Sequence, residues 1–151
     1  MNLPLATWPE LLIIVPGNPV AWARAGRGRG ARAGGKYVTF TPAKQRNWKE
    51  LCQAYMAQAR GSQPLYEAPL LMEVRAYWPR PKSIPKREGT GSRWRPSRPD
   101  SDNVGKQVAD AAIGVLYADD ALVVRLVVEK RVAAAGDGPR VEISVRPVEG
   151  A

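Results

Sequence analysis

Residues 100–132 read DSDNVGKQVADAAIGVLYADDALVVRLVVEKRV. Val104, Val108, Ala111, Ala112 and Val115 recur at three- and four-residue spacing, the period of an amphipathic helix, and Gly114 offers a small-residue contact on the same stripe. Asp102 or Asn103 can cap its start. Asp119 and Asp120 then sit at a turn, and Ala121 to Val132 is a β-branched run typical of a strand. A helix that feeds a strand in so few residues belongs to a mixed α+β domain.

Working outward, Leu70 to Trp78 has strand character, with Leu70, Met72, Val74 and Ala76 on one face and Leu71, Glu73, Arg75 and Tyr77 on the other. Downstream, Arg140 to Val145 alternates polar and apolar and is expected to pair with the 121–132 strand across the Ala135-Gly136-Asp137-Gly138 turn. Glu10 to Val15 and Lys36 to Phe40 read as two more strands, with Ala21 to Gly35 a long hairpin loop between them. Thr41 as N-cap and Pro42 at the first helical position start a second helix over 42–60, whose stripe is Trp48, Leu51, Cys52, Tyr55 and Ala59. The expectation is one domain over residues 1–151, a mixed sheet of about five strands packed with two helices.

Composition narrows the chemistry. The chain has 151 residues, 23 Lys plus Arg against 14 Asp plus Glu, a net charge of +9, no histidine and one cysteine. A Ser-His-Asp triad, a histidine base, a His-ligated zinc and an HNH-type nuclease site are excluded, and a lone cysteine forms neither an intrachain disulfide nor a thiolate zinc cluster. Catalysis must rest on carboxylates, Lys, Arg, Tyr or hydroxyls, with a hard cation such as Mg²⁺ as the natural aid. No apolar run approaches the about 20 residues of a membrane span and the N-terminus lacks the pattern of a signal peptide, so a cytoplasmic setting without membrane partners is expected.

The charges are segregated. Arg24, Arg27, Arg29, Arg32, Lys36, Lys44, Arg46 and Lys49 occur with no acid between Glu10 and Glu50, and Arg80, Lys82, Lys86, Arg87, Arg93, Arg95 and Arg98 form a second run relieved only by Glu88. Gly, Pro and Ser are abundant in both, so loops at about 21–35 and 79–99 are expected, suited to a phosphate backbone. Five of the six aspartates, Asp100, Asp102, Asp110, Asp119 and Asp120, fall within 21 residues. Neighbouring carboxylates repel unless a cation or proton intervenes. Asp102, Lys106 and Asp110 are four residues apart on one face of a helix about 14 residues, or roughly 21 Å, long. If the following strand returns beside the helix start, Asp100, Asp102 and Asp119 or Asp120 make a Mg²⁺ site, with Lys106 orienting water or offsetting charge. The competing reading makes Asp102 a cap, Lys106 and Asp110 a surface ion pair and Asp119-Asp120 an ordinary turn, which leaves a basic nucleic-acid-binding protein without catalysis.

Asp100-Ser101-Asp102-Asn103-Val104-Gly105-Lys106, then Asp110, Gly114 and Leu116-Tyr117-Ala118-Asp119-Asp120, resembles the signature of the RusA family of Holliday-junction resolvases, D-x-D-N-x-x-K-x-x-x-D followed by a D-D pair. Ile14-Val15-Pro16-Gly17 and Tyr37-Val38-Thr39-Phe40-Thr41 are similar to the family's opening, and the 79–98 region is longer and more basic than in compact members. The resemblance implies a RusA-like fold and a Mg²⁺-dependent endonuclease, with Mn²⁺ able to substitute, that acts as a homodimer and nicks opposing strands of a four-way DNA junction in recombination and repair. It implies metal binding by Asp100, Asp102 and Asp120, an active-site role for Lys106, and support from Asp119 and Asn103. The two basic runs, through Arg24, Arg27, Arg29, Arg32, Lys82, Lys86, Arg87, Arg93, Arg95 and Arg98, are then expected to meet DNA. Other branched DNA, such as flaps or forks, is the alternative substrate. Trp78, Trp94 and the C-terminal strand are where a dimer interface is sought.

Overall fold

The computed structural model describes residues 8–23, 26–33, 36–40 and 42–150, with 26–33 and 36–40 described by their backbone alone. The central sheet has five strands: β1 (Leu11–Pro16), β4 (Leu70–Trp78), β5 (Arg93–Trp94), β6 (Val123–Val132) and β7 (Arg140–Pro147), in the order β1-β7-β4-β6-β5. Two more strands, β2 (Gly26–Ala33) and β3 (Lys36–Phe40), pair antiparallel as a separate ribbon. The helices are α1 (Ala43–Arg60) and α2 (Ser101–Ala112). This is the α+β arrangement with a mixed sheet expected from the sequence.

Period-two burial sets the layers. Leu11, Ile13 and Val15 of β1, Val141, Ile143 and Val145 of β7, and Leu70, Met72, Val74, Ala76 and Trp78 of β4 all point into one core under the helices. A fully buried side chain such as Met72 contributes roughly 1.5–3 kcal/mol by leaving water. The opposite face is charged: Glu129 Oε2 lies 3.5 Å from Arg75 Nε and 3.0 Å from Arg131 Nε.

Several sequence readings are corrected. The last strand does not pair with the 121–132 strand; β7 enters between β1 and β4, while β6 pairs parallel with β4 from Leu70 opposite Val123 to Trp78 opposite Val132. A parallel pair needs a long crossover, and residues 79–122 provide it, carrying α2. β7 is therefore interior, and Trp78 is buried, which leaves only Trp94 exposed among the three places named for an interface. The 21–35 segment is not all loop, since Gly26 to Ala33 forms β2, with Gly26 opposite Phe40 and Ala33 opposite Lys36. The cap expected at Thr41 lies outside the described residues.

Burial on the helices also differs in detail. α1 buries Gln45, Trp48, Cys52 and Met56 and leaves Leu51 41% exposed, because its contact with β1 follows a narrow i, i+4 row. α2 begins at Ser101, so Asp100 is its N-cap residue rather than Asp102 or Asn103, and it ends at Ala112. Gly114 lies beyond it in a turn at φ +78°, and the close contact belongs instead to Gly105. A Cβ there would come within 2.9 Å of both Leu126 Cδ2 and Val128 Cγ2, so glycine at this position lets α2 sit directly on β6.

Candidate active site

Each end of β6 positions part of the aspartate motif. At its far end, Lys130 Nζ donates to the carbonyls of Ser97 and Pro99, each at 2.8 Å, and the Lys130 carbonyl accepts from the Arg95 N–H at 2.9 Å. The corner immediately before Asp100 is thereby tied to the sheet. Arg95 also donates to the Arg98 carbonyl at 2.9 Å, and its guanidinium lies 4.8 Å from the centre of the Trp78 ring.

Asp100 then opens α2 with extended backbone and no side-chain cap bond. Asp102 stands exposed in the first turn, where unpaired N–H groups and the positive end of the helix dipole favour a negative charge. The Asn103 carbonyl accepts from the Trp22 N–H at 3.0 Å, Ala23 N–H donates to Gln45 Oε1 at 2.9 Å, and Gln107 Nε2 donates to the Gln45 carbonyl at 2.9 Å. The segment after β1 is thus stitched to both helices. It brings the Trp22 ring beside Lys106, whose Nζ lies 5.1 Å from the ring centre and 3.9 Å from Asp110 Oδ2. The indole face and a single carboxylate hold the ammonium, and the Lys106 side chain keeps 48% of its exposure.

The near end of β6 carries the second aspartate pair. Tyr117 is fully buried and donates to the Ala109 carbonyl at 2.7 Å, which anchors the returning chain against the later part of α2. Burial pushes its hydroxyl pKa well above the usual tyrosine range, and the charges of Asp120 and Asp110 raise it further. Asp119 Oδ1 accepts from the Ala121 N–H at 2.8 Å and caps a 3₁₀ turn over Asp120–Leu122 that touches α2. Asp120 is exposed.

β6 therefore runs antiparallel along α2, with Gly105 beside Leu126 and Val128 and the residues before Asp100 beside Lys130. Asp100 and Asp102 stand at the helix start, while Asp120 stands at the other end of the unit, in the 3₁₀ turn that touches α2 beside Tyr117, so the three aspartates are not gathered in one cluster among the described residues. Among the described residues, none of the Asp100, Asp102 and Asp120 carboxylates takes part in an ion pair, and no three acidic, cysteine or histidine side chains are gathered as a metal cluster. Exposed carboxylates with no protein partner have the donor chemistry of a hard divalent cation, supplied from two places on one helix–strand unit.

The cationic residues divide into two kinds. Lys82, Lys86, Arg87 and Arg98 are exposed. Arg93 is committed within the loop, bonding the Glu88 carboxylate at 3.2 Å and its carbonyl at 2.7 Å, and Arg95 braces the corner before Asp100. The loop at 79–99 is consequently ordered, with a 3₁₀ turn over Lys86–Glu88 and β5. Arg27, Arg29 and Arg32 lie on β2, and Arg24 falls outside the described residues. Lys130 and Trp22 escaped the sequence reading. Nothing in the sequence set Lys130 apart from the neighbouring Arg125, Glu129 and Arg131 of the same strand, and nothing tied Trp22 to Lys106.

Residues 16–146 match the family model described as endodeoxyribonuclease RusA, and the chain belongs to that DNA-cleaving family of Holliday-junction-resolving endonucleases. It is also similar to YqaN of Bacillus subtilis (strain 168), described as an uncharacterized protein, with 36% identity over 140 residues that cover 89% of this chain and 94% of the relative. No helix among the described residues is long and apolar enough to cross a membrane.

Proposed function

We propose that this protein is a divalent-metal-dependent endonuclease that resolves four-way DNA junctions by paired nicks, working as a homodimer in recombination and repair. The observation that carries the reading is the set of exposed carboxylates, Asp100, Asp102 and Asp120, that form no ion pair among the described residues, on a single helix–strand unit of a chain with net charge +9. In so basic a protein, carboxylates left without cationic partners are suited to a cation from solution.

Asp100 and Asp102, at the start of α2, would hold Mg²⁺, or Mn²⁺ in its place, with Asp120 a further carboxylate presented separately from the other end of the α2–β6 unit. The chemistry such a cation supplies is activation of water and neutralisation of the charge that builds on the scissile phosphate. Asp119 fixes the turn that presents Asp120, and Asn103 fixes the start of α2 through the Trp22 segment. Lys106 faces the phosphate as a compact cation whose position is set by Trp22 and Asp110. Lys82, Lys86, Arg87 and Arg98, together with Arg24, Arg27, Arg29 and Arg32, contact phosphates along the arms, and Arg93 and Arg95 keep the 79–99 loop in the shape that presents them.

The test is incubation of the protein with a mobile four-way junction and with linear duplex, in Mg²⁺ or EDTA, beside Asp102→Asn. Cleavage of the junction that is lost in EDTA and in Asp102→Asn, while junction binding survives, is the expected result. Binding to both DNAs with no cleavage in any metal would make the protein a binding module instead. Equal cleavage of duplex, or preference for flaps or forks, would reject the junction as substrate.

A further inference from the structure

Trp94 has no part in the chemistry proposed above, yet it is the most exposed aromatic side chain among the described residues, 64% accessible. It is also firmly held. β5 pairs Trp94 with Arg131 and Arg93 with Val132. On either side of it in the chain, Arg93 bonds Glu88 and the Arg95 N–H donates to the Lys130 carbonyl at 2.9 Å. The Arg131 guanidinium lies 3.9 Å from the centre of the Trp94 ring. Arg131 is fixed in turn, donating to Glu129 Oε2 at 3.0 Å and to Ser92 Oγ at 3.1 Å, while Arg75 of β4 also reaches Glu129. One face of the indole is thus backed by a cation in a set position, and what remains accessible is chiefly the opposite face.

The surroundings decide what such a face takes. Within residues 79–99 no other large hydrophobic side chain is exposed, and Glu88, the only acid there, is paired with Arg93. The centre of a protein-binding patch is depleted of charge. A lone ring among guanidinium groups is instead the composition of a surface for single-stranded nucleic acid, on which bases stack while cations meet the phosphates. The interior of a duplex offers no free base face, so the ring's partner is an unpaired base. Trp94 also stands near the carboxylates: six residues of chain limit its distance from Asp100 to at most about 21 Å, the rise of roughly six nucleotides in a duplex. Lys130, beside Arg131, ties down Ser97 and Pro99 between them. We propose that Trp94, backed by Arg131, is a stacking subsite for an unpaired DNA base, which adds recognition of single strands to the phosphate contacts of the basic loops. Its use on a branched substrate rests on the function proposed above, whereas its affinity for single strands does not.

The test uses the full-length protein in EDTA, so cleavage does not enter it. Fluorescence anisotropy compares a labelled oligothymidylate with a duplex of the same length, for the wild type, Trp94→Ala and Trp94→Phe. Trp94→Ala is expected to weaken oligothymidylate binding by about tenfold, the worth of one stacked base, and to change duplex binding by less than about twofold. Trp94→Phe keeps a ring and is expected to retain most of the single-strand affinity. An iodouracil-substituted oligothymidylate is expected to photocrosslink to the peptide that carries Trp94. Equal losses on both DNAs would make Trp94 a prop for the loop and overturn the proposal. So would unchanged oligothymidylate binding in Trp94→Ala, a wild type that does not bind the oligothymidylate, or a crosslink confined to other peptides. A Trp94→Ala form that keeps its single-strand affinity but loses self-association in sedimentation equilibrium would assign the ring to a protein contact instead. A protein that cuts junctions but fails here loses only the subsite, and one that passes here but cuts nothing keeps the subsite and loses the nuclease reading.

Discussion

Gly105 is where the seat of α2 on β6 can be tested with one methyl group. Replacing it with alanine removes a helix-interior glycine, a gain of about 1 kcal/mol in helix propensity. The added Cβ would lie 2.9 Å from both Leu126 Cδ2 and Val128 Cγ2. The tip of Leu126, 42% exposed, can rotate aside, but Val128 is β-branched, half-buried and fixed within the sheet, so α2 or β6 must shift. Overpacking of that kind costs roughly 1–3 kcal/mol, so the net effect of Gly105→Ala is a loss of about 1 kcal/mol, and Gly105→Val loses more because it adds more bulk with a smaller propensity gain. Urea unfolding followed by circular dichroism should show a lower midpoint at unchanged slope. Junction cleavage should fall further than junction binding, because the shift moves Asp100, Asp102 and Lys106 relative to Asp120. A raised midpoint in Gly105→Ala would refute the reasoning, since it would mean that propensity alone governs the site and that α2 is not seated on β6 through this contact.

Lys130→Met should reduce junction cleavage by about tenfold or more in single-turnover assays while changing duplex affinity little, because it frees the carbonyls of Ser97 and Pro99 that fix the approach to Asp100. Tyr117→Phe removes a buried hydrogen bond to the Ala109 carbonyl and should lower stability by about 1–3 kcal/mol in the same urea assay. Burial pushes the Cys52 thiol up to about 12, and burial followed by the Glu10 charge pushes the Tyr66 hydroxyl up to about 12. The folded protein keeps protons that the unfolded chain releases from about pH 9 upward, so stability should be level below pH 9 and fall as pH rises towards 12, as read from urea midpoints. Asp120→Asn should abolish junction cleavage in a gel assay, whereas Asp119→Ala should retain part of it, since Asp119 spends its carboxylate on the Ala121 N–H.

The elements were legible wherever one period dominated the sequence. The alternation of Leu70 to Ala76 and the 3.6-residue spacing of Val104, Val108, Ala111 and Ala112 each name a buried face, and the structure buries those residues. Pairing was not legible. The final strand follows a short turn and satisfies a hairpin pattern with β6, yet β7 lies between β1 and β4, because pairing is settled by which strands share a buried face rather than by which are adjacent in sequence. β2 was hidden because Gly-Arg repeats have the composition of a loop, and only the register with β3 makes them a strand. At the proposed site, the aspartates and Lys106 stood out by clustering and spacing along the chain, which did not foretell that Asp120 would lie at the other end of the α2–β6 unit from Asp100 and Asp102. Their supports did not stand out: Lys130 acts through backbone carbonyls 31 and 33 residues away, and Trp22 reaches Lys106 only because Gln45 and Asn103 hold its segment. Such contacts depend on tertiary placement and leave no period in the sequence.

The central claim is that this unit of α2 and β6 cleaves DNA at four-way junctions in pairs. Its most direct test is a denaturing gel of one mobile junction labelled in turn on each of its four strands, after incubation with the wild-type protein and Mg²⁺. The account predicts nicks at symmetric positions in two opposing strands, with the other two strands intact and linear duplex uncut. Nicks in a single strand, in all four strands alike, or in duplex at the same rate would contradict it.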